Sequence, residues 1–122
     1  MNEEHSMQFF LSNLIPEDKI INEINSVLNF LVETIDISVK NSVGFLQVME
    51  YSEGFKLGCL ISWPENVQPN LDVKELGELL TEKFRCEILC EANDNEWYLV
   101  KPSGETTKVT VKSLDDGIAV IT

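Results

Sequence analysis

Few residues in this chain have the types and spacing that chemistry needs. There is one histidine, His5, near the start of 122 residues, and a lone histidine gives neither a Ser-His nor a Cys-His pair. The three cysteines are Cys59, Cys86 and Cys90. An odd number of cysteines with no export signal points to reduced thiols. Cys86 and Cys90 fall four apart on an expected strand, where their Cα atoms lie about 13 Å from each other, too far for a disulfide. The C-x3-C spacing has no histidine or second cysteine pair beside it, so it does not make a zinc site. The three thiols read as small buried hydrophobes. The glycines at 44, 54, 58, 104 and 117 fall in expected strands or turns, and none opens a helix as a phosphate-binding loop does. No cofactor and no metal is expected, and the chain reads as no enzyme. An enzyme whose carboxylates converge in a cleft stays open as an alternative, because any two acids can meet in space.

The acids are the unusual chemical resource. Asp and Glu number 21 against 9 Lys and Arg, a formal net charge of −12. A field of that sign repels nucleic acid and anionic membrane and attracts basic partners. Lys101, Lys108 and Lys112 form at most a solvated edge, so nucleic acid is not an expected partner. No apolar run approaches the roughly 20 residues that span a bilayer, and the acidic start precedes no long apolar block. The cytoplasm is therefore the expected compartment.

The elements that must carry these acids can be read from periodicity. Residues 1–6 read as a tail and 7–122 as one domain, with a possible sub-boundary in the loop at 64–70, which holds two prolines. A short strand is expected near 7–11. Pro16 opens a helix with Glu17 and Asp18 in its first turn. Its apolar stripe is Ile20, Ile21, Ile24, Val27, Leu28 and Leu31, and the spacing carries the helix to about Val32. Alternation of Ile35, Ile37 and Val39 predicts a strand. Residues 43–63 then predict a hairpin around Ser52-Glu53-Gly54, with Phe55, Leu57, Cys59, Ile61 and Trp63 facing inward. Its core residues are Phe45, Val48, Leu57, Cys59 and Ile61, covered by Ile24 and Leu28 from the first helix and Leu76 and Leu80 from a second. That second helix starts with Asp72 as N-cap, Glu75 in a capping box, and Leu71 and Leu76 as a staple. Val73, Leu76, Leu79, Leu80 and Phe84 form its expected buried stripe. Four strands follow, near 85–91, 97–101, 107–113 and 118–121. The fold class is α+β: a mostly antiparallel curved sheet of about seven strands with two helices on one face, ordered helix, three strands, helix, four strands.

On this frame the acids cluster. Glu75, Glu78 and Glu82 share the outer face of the second helix, and Glu87 and Glu91 share the outer face of the next strand. Asp94 and Glu96 sit at the adjoining turn. Of Trp97 and Tyr98, adjacent on a strand, one ring faces out and can anchor a partner. These nine residues form the expected partner-binding surface.

The acidic stretch from Asp72 to Glu96, together with the missing catalytic motif, resembles the small bacterial immunity proteins of contact-dependent inhibition and polymorphic toxin systems. The resemblance implies a cytoplasmic protein that neutralises a cognate toxin, with the acidic surface covering a basic, nuclease-like domain. The element order across residues 16–101 is also similar to the acidic effector chaperones of type III secretion, although those usually finish on a helix and this chain is expected to finish on strands.

Overall fold

Met7, Phe9 and Leu11 point to one side of a strand and Phe10 to the other, and all four are buried. A strand that is apolar on both faces must be covered on both, and this one, β1 (Ser6–Leu11), is the middle of the molecule. The computed structural model describes residues 5–92 and 95–121. After β1 come α1 (Glu17–Val27), β2 (Val32–Glu33), β3 (Gly44–Glu50), β4 (Glu53–Gly54), β5 (Leu57–Ser62) and α2 (Val73–Phe84). The second half adds β6 (Ile88–Glu91), β7 (Trp97–Val100), β8 (Thr106–Val109), β9 (Val111–Leu114) and β10 (Gly117–Val120). A seven-stranded sheet has the order β2-β3-β5-β1-β6-β7-β8, and a three-stranded sheet has the order β4-β10-β9. The α+β class, the two helices and the mostly antiparallel seven-stranded sheet are as the sequence leads one to expect. Among the described residues, no helix is long and apolar enough to cross a membrane.

β1 pairs antiparallel with β5, Phe9 opposite Cys59, and with β6, Phe9 opposite Cys90. The loop at 64–70 leads from β5 into α2, and strands from both sides of it, β5 and β6, flank β1 in one sheet. The strand also takes in Ser6, which the sequence reading leaves in the tail.

The first helix is shorter than its apolar spacing. It stops at Val27, and Leu28 is extended at φ −81° and ψ 154°. The cause is distant in sequence. Asn70 Nδ2 donates to the Val27 carbonyl at 3.0 Å, Asn70 Oδ1 accepts from the Asn29 amide at 2.9 Å, and Asn29 Nδ2 donates to the Gln68 carbonyl at 2.9 Å. These bonds satisfy backbone groups that a continuing helix would satisfy itself. Phe30 and Val32 still reach the core, but from an extended chain. The Asn25 side chain holds both the N–H and the C=O of Val32, at 2.9 and 3.0 Å.

The expected strand over 35–39 does not form. Only Val32–Glu33 is strand, paired parallel with β3, and Ile35 is 87% exposed. Thr34 N–H donates to the Ile37 carbonyl, Ile37 N–H to Thr34 Oγ1, and Val39 N–H to Glu33 Oε1. Polar side chains thus take the amides that a strand neighbour would have taken. Without a full neighbour, β3 is less interior than its sequence suggests. Leu46 is buried, Phe45 and Val48 are half-buried, and Met49 is 59% exposed. The other expected core residues, Leu57, Cys59, Ile61, Ile24, Leu28, Leu76 and Leu80, are buried.

The second helix has its capping box: Asp72 Oδ1 accepts from the Glu75 amide at 2.8 Å and Glu75 Oε1 from the Asp72 amide at 3.0 Å. Its buried face is rotated from the expected stripe. Leu79 is 40% exposed and Phe84 half-buried, while Gly77 and Thr81 are buried. Gly77 lets the helix backbone lie close on β6, since a Cβ there would stand 2.6 Å from Cys90 Sγ. Gly77→Ala should therefore lower stability by about 1–3 kcal/mol through overpacking, although alanine is the better helix former. Adding Cys90→Ala should recover part of the loss in urea melts. A neutral or stabilising Gly77→Ala would mean the helix stands further off the sheet.

The face of the sheet away from the helices is also covered. Phe55 and Ile118 of the small sheet region pack on Phe10, Leu89 and Leu99 in a second apolar cluster. This corrects the reading of residues 85–91 as a strand with a wet outer face, because Leu89, between Glu87 and Glu91, is 0% exposed. The expected strand at 107–113 is two strands in two sheets. It bends at Thr110, whose carbonyl accepts from the Ile121 amide at 2.9 Å. The hairpin turn contributes β4, paired parallel with β10, and Gly54 has the positive φ of 69° that its turn position requires. Asp116 Oδ2 accepts from the Ser52 amide and hydroxyl, at 2.9 and 2.6 Å, tying turn to turn. Those bonds hold the Asp116 carboxyl below its usual range.

Candidate functional site: an acidic cleft at one end of the sheet

At the end of the sheet where β1 begins, β6 ends and α2 starts, the chain leaves a cleft of about 720 Å³. Its wall is built from Ser6 and Met7 of β1, Trp63 after β5, the loop at 65–71, the first turn of α2, Glu91 at the end of β6, Ala92 after it, and Tyr98 on β7. Among the described residues, five carboxylates line it, Glu65, Asp72, Glu75, Glu91 and Glu96, against one ammonium, Lys74. That volume lies within the range of ligand-binding cavities.

The polar groups of the cleft are partly engaged. Asp72 and Glu75 each hold the other's backbone amide in the capping box. Glu96 Oε2 meets Lys108 Nζ at 3.4 Å, with both side chains largely in solvent, so the pair contributes little. Lys74 Nζ lies 4.3 Å from the centre of the Tyr98 ring, a cation–π contact inside the cleft. Among the described residues, two atoms of wall residues have no hydrogen-bond partner although they are shut off from solvent, His5 Nδ1 and Trp63 Nε1. The Trp63 ring rests on Phe30 at 5.9 Å.

The structure gathers four of the expected surface residues here: Glu75, Glu91, Glu96 and Tyr98. Glu78 and Glu82 stay on the exposed outer face of α2 around Leu79, and Thr106 Oγ1 donates to Glu78 Oε2 at 3.2 Å. Glu87 is half-buried and, like Glu91, alternates with the helix-facing Ile88 and Cys90, so the acids expected on one surface are divided by the sheet. Asp94 lies outside the described residues. Neither aromatic ring is free. Trp97 packs on Phe10 at 6.0 Å in the second apolar cluster, and Tyr98 faces the helix side beneath Lys74. Sequence reasoning missed Glu65, Lys74, His5 and Trp63 as cleft residues and saw Asp72 only as a cap. The one local signal was Trp63 at the end of a strand beside a loop, where a large ring borders both core and solvent.

Nucleophilic chemistry finds little support at the thiols. Burial pushes Cys59 and Cys90 up to about 12, and burial also raises Cys86, so the reactive thiolate is scarce at neutral pH. All three are free and buried. Among the described residues, no group of three or more His, Cys, Asp or Glu is placed to hold a metal ion.

No protein-family model matches the chain, and comparison with curated proteins and with solved structures finds no match.

Proposed function

We propose that this chain is a non-catalytic binding protein of the bacterial cytoplasm that neutralises a basic, nuclease-like toxin domain. The observation that carries the reading is the cleft, where five carboxylates face a single ammonium. Charge of one sign in a concave, low-dielectric site focuses the field and draws in a partner of the opposite sign. The net charge of −12 adds a long-range attraction in the same direction. Beside the cleft, the exposed Glu78 and Glu82 extend the acidic surface over α2. Tyr98, beneath Lys74, supplies an aromatic ring to the cleft lining. A toxin's basic active site, covered by such a surface, would be closed to nucleic acid.

The test is growth rescue. The product of the neighbouring gene is expressed in a bacterial host with and without this chain. The expected result is toxicity alone, survival together, and coelution of the two proteins at low salt. A harmless neighbour, or one that stays toxic beside this chain, would sink the proposal.

A further inference from the structure

We infer that the acidic cleft seats an extended basic peptide segment, whose lysine or arginine displaces Lys74 from the Tyr98 ring and whose backbone carbonyl accepts a hydrogen bond from Trp63 Nε1–H. The inference rests on the reading of this cleft as a docking site and names what enters it. Three different observations converge. The carboxylates that line the cleft, Glu65, Asp72, Glu75, Glu91 and Glu96, outnumber the ammonium among its described residues and give it a field that favours a cation. Lys74 over Tyr98 at 4.3 Å is an ammonium already held on the ring, a position that an incoming guanidinium or ammonium can occupy. Trp63 is 8% exposed and its indole N–H has no acceptor among the described residues. A buried donor without a partner is unusual and points to an acceptor that arrives with a ligand.

The three requirements select among ligands. A polyamine or a metal ion brings charge but no acceptor for the indole. A nucleotide or another anion brings acceptors, but five carboxylates repel it. A basic peptide brings both, a cationic side chain and a row of carbonyls. Its amides could also serve His5 Nδ1, an acceptor in the Nε2–H tautomer and the second orphan atom of the same wall. The indole nitrogen is shut off from solvent in the free protein, so a carbonyl reaches it only when the cleft wall gives. Its resonance therefore reports seating, which electrostatic attraction alone would leave unchanged.

The experiment titrates the whole chain with a blocked peptide of alternating arginine and glycine, with spermine, and with a blocked peptide of alternating glutamate and glycine. The readout is the pair of indole N–H signals from Trp63 and Trp97, assigned with Trp97→Phe. The arginine peptide should move the Trp63 signal downfield and leave the Trp97 signal in place. Spermine should compete for the carboxylates without that downfield shift, and the glutamate peptide should not bind. Glu65→Gln with Glu96→Gln should weaken the arginine peptide about tenfold, as loss of complementary charge does. Lys74→Met, which keeps most of the stem and removes the charge, should tighten it severalfold. Peptide binding that leaves the Trp63 signal unmoved would overturn the seating and leave the docking proposal standing. No peptide binding at about 1 mM, weaker than roughly 4 kcal/mol of affinity, would also overturn it, while growth rescue still decides neutralisation. Weaker binding to Lys74→Met would overturn the displacement.

Discussion

Phe9→Ala should lower the unfolding free energy by about 3–5 kcal/mol, the cost of emptying a large buried aromatic site. Phe9 is 0% exposed, in the middle strand of the seven, opposite Cys59 on one side and Cys90 on the other. Its side faces both helices through Ile20, Ile24, Leu76 and Leu80, which are each 0% exposed, so little can collapse into the space. A loss of that size is about a fifth or more of the roughly 5–15 kcal/mol that holds a domain of this kind together. Ile35→Ala is the control. Ile35 is a larger aliphatic residue than its neighbours Thr34 and Asp36, yet it is 87% exposed, and its removal should change stability by less than about 0.5 kcal/mol. Urea melts of both variants measure this. A Phe9→Ala loss below about 1 kcal/mol would mean that β1 is not the spine of the sheet.

Reversing two carboxylates of the cleft, Glu65→Lys with Glu96→Lys, should slow association with the proposed basic toxin partner by about 10- to 100-fold, within the range that electrostatic steering provides. The same reversal on the outer face of α2, Glu78→Lys with Glu82→Lys, should slow it less, because a convex helix surface spreads the field that a cleft concentrates. Dissociation should change little in either case. The fold should tolerate the cleft pair, since Glu96 gives up only a solvent-exposed contact with Lys108. Salt should act in the same direction, as the Debye length shrinks from about 10 Å at 0.1 M to about 3 Å at 1 M. Tyr98→Ala, in the cleft lining, should instead raise the dissociation rate. Trp97→Ala should show first as a stability loss, because that ring packs on Phe10. Stopped-flow association at several salt concentrations separates these effects. An on-rate indifferent to salt and to both reversals would reduce the acids to a solubility coat.

The features that the sequence by itself determined are those made by neighbours along the chain. Asp72 and Glu75 are three residues apart, so their capping box needs only a helix between them, and it is present as expected. The alternation of Leu57, Cys59 and Ile61 marks a strand buried on one face wherever that strand sits, and Gly54 marks a turn that must take positive φ. The burial of the three cysteines and the α+β class follow from the same local signals. Tertiary structure decided where partners come from far away. The end of α1 is set by Asn70, some 40 residues on, and not by the apolar spacing, which runs past Val27 without a break. Leu89 reads as a lone apolar residue between acids until the small sheet covers it. The cleft is the extreme case. Its carboxylates come from a loop, a helix cap and the flanks of two strands, and β1 brings those pieces together by pairing with β5 on one edge and β6 on the other. Hydrophobic residues must keep the period of their element to stay dry, so they leave a pattern in the sequence. Surface carboxylates obey no such period, and only the order of strands in the sheet decides which of them meet.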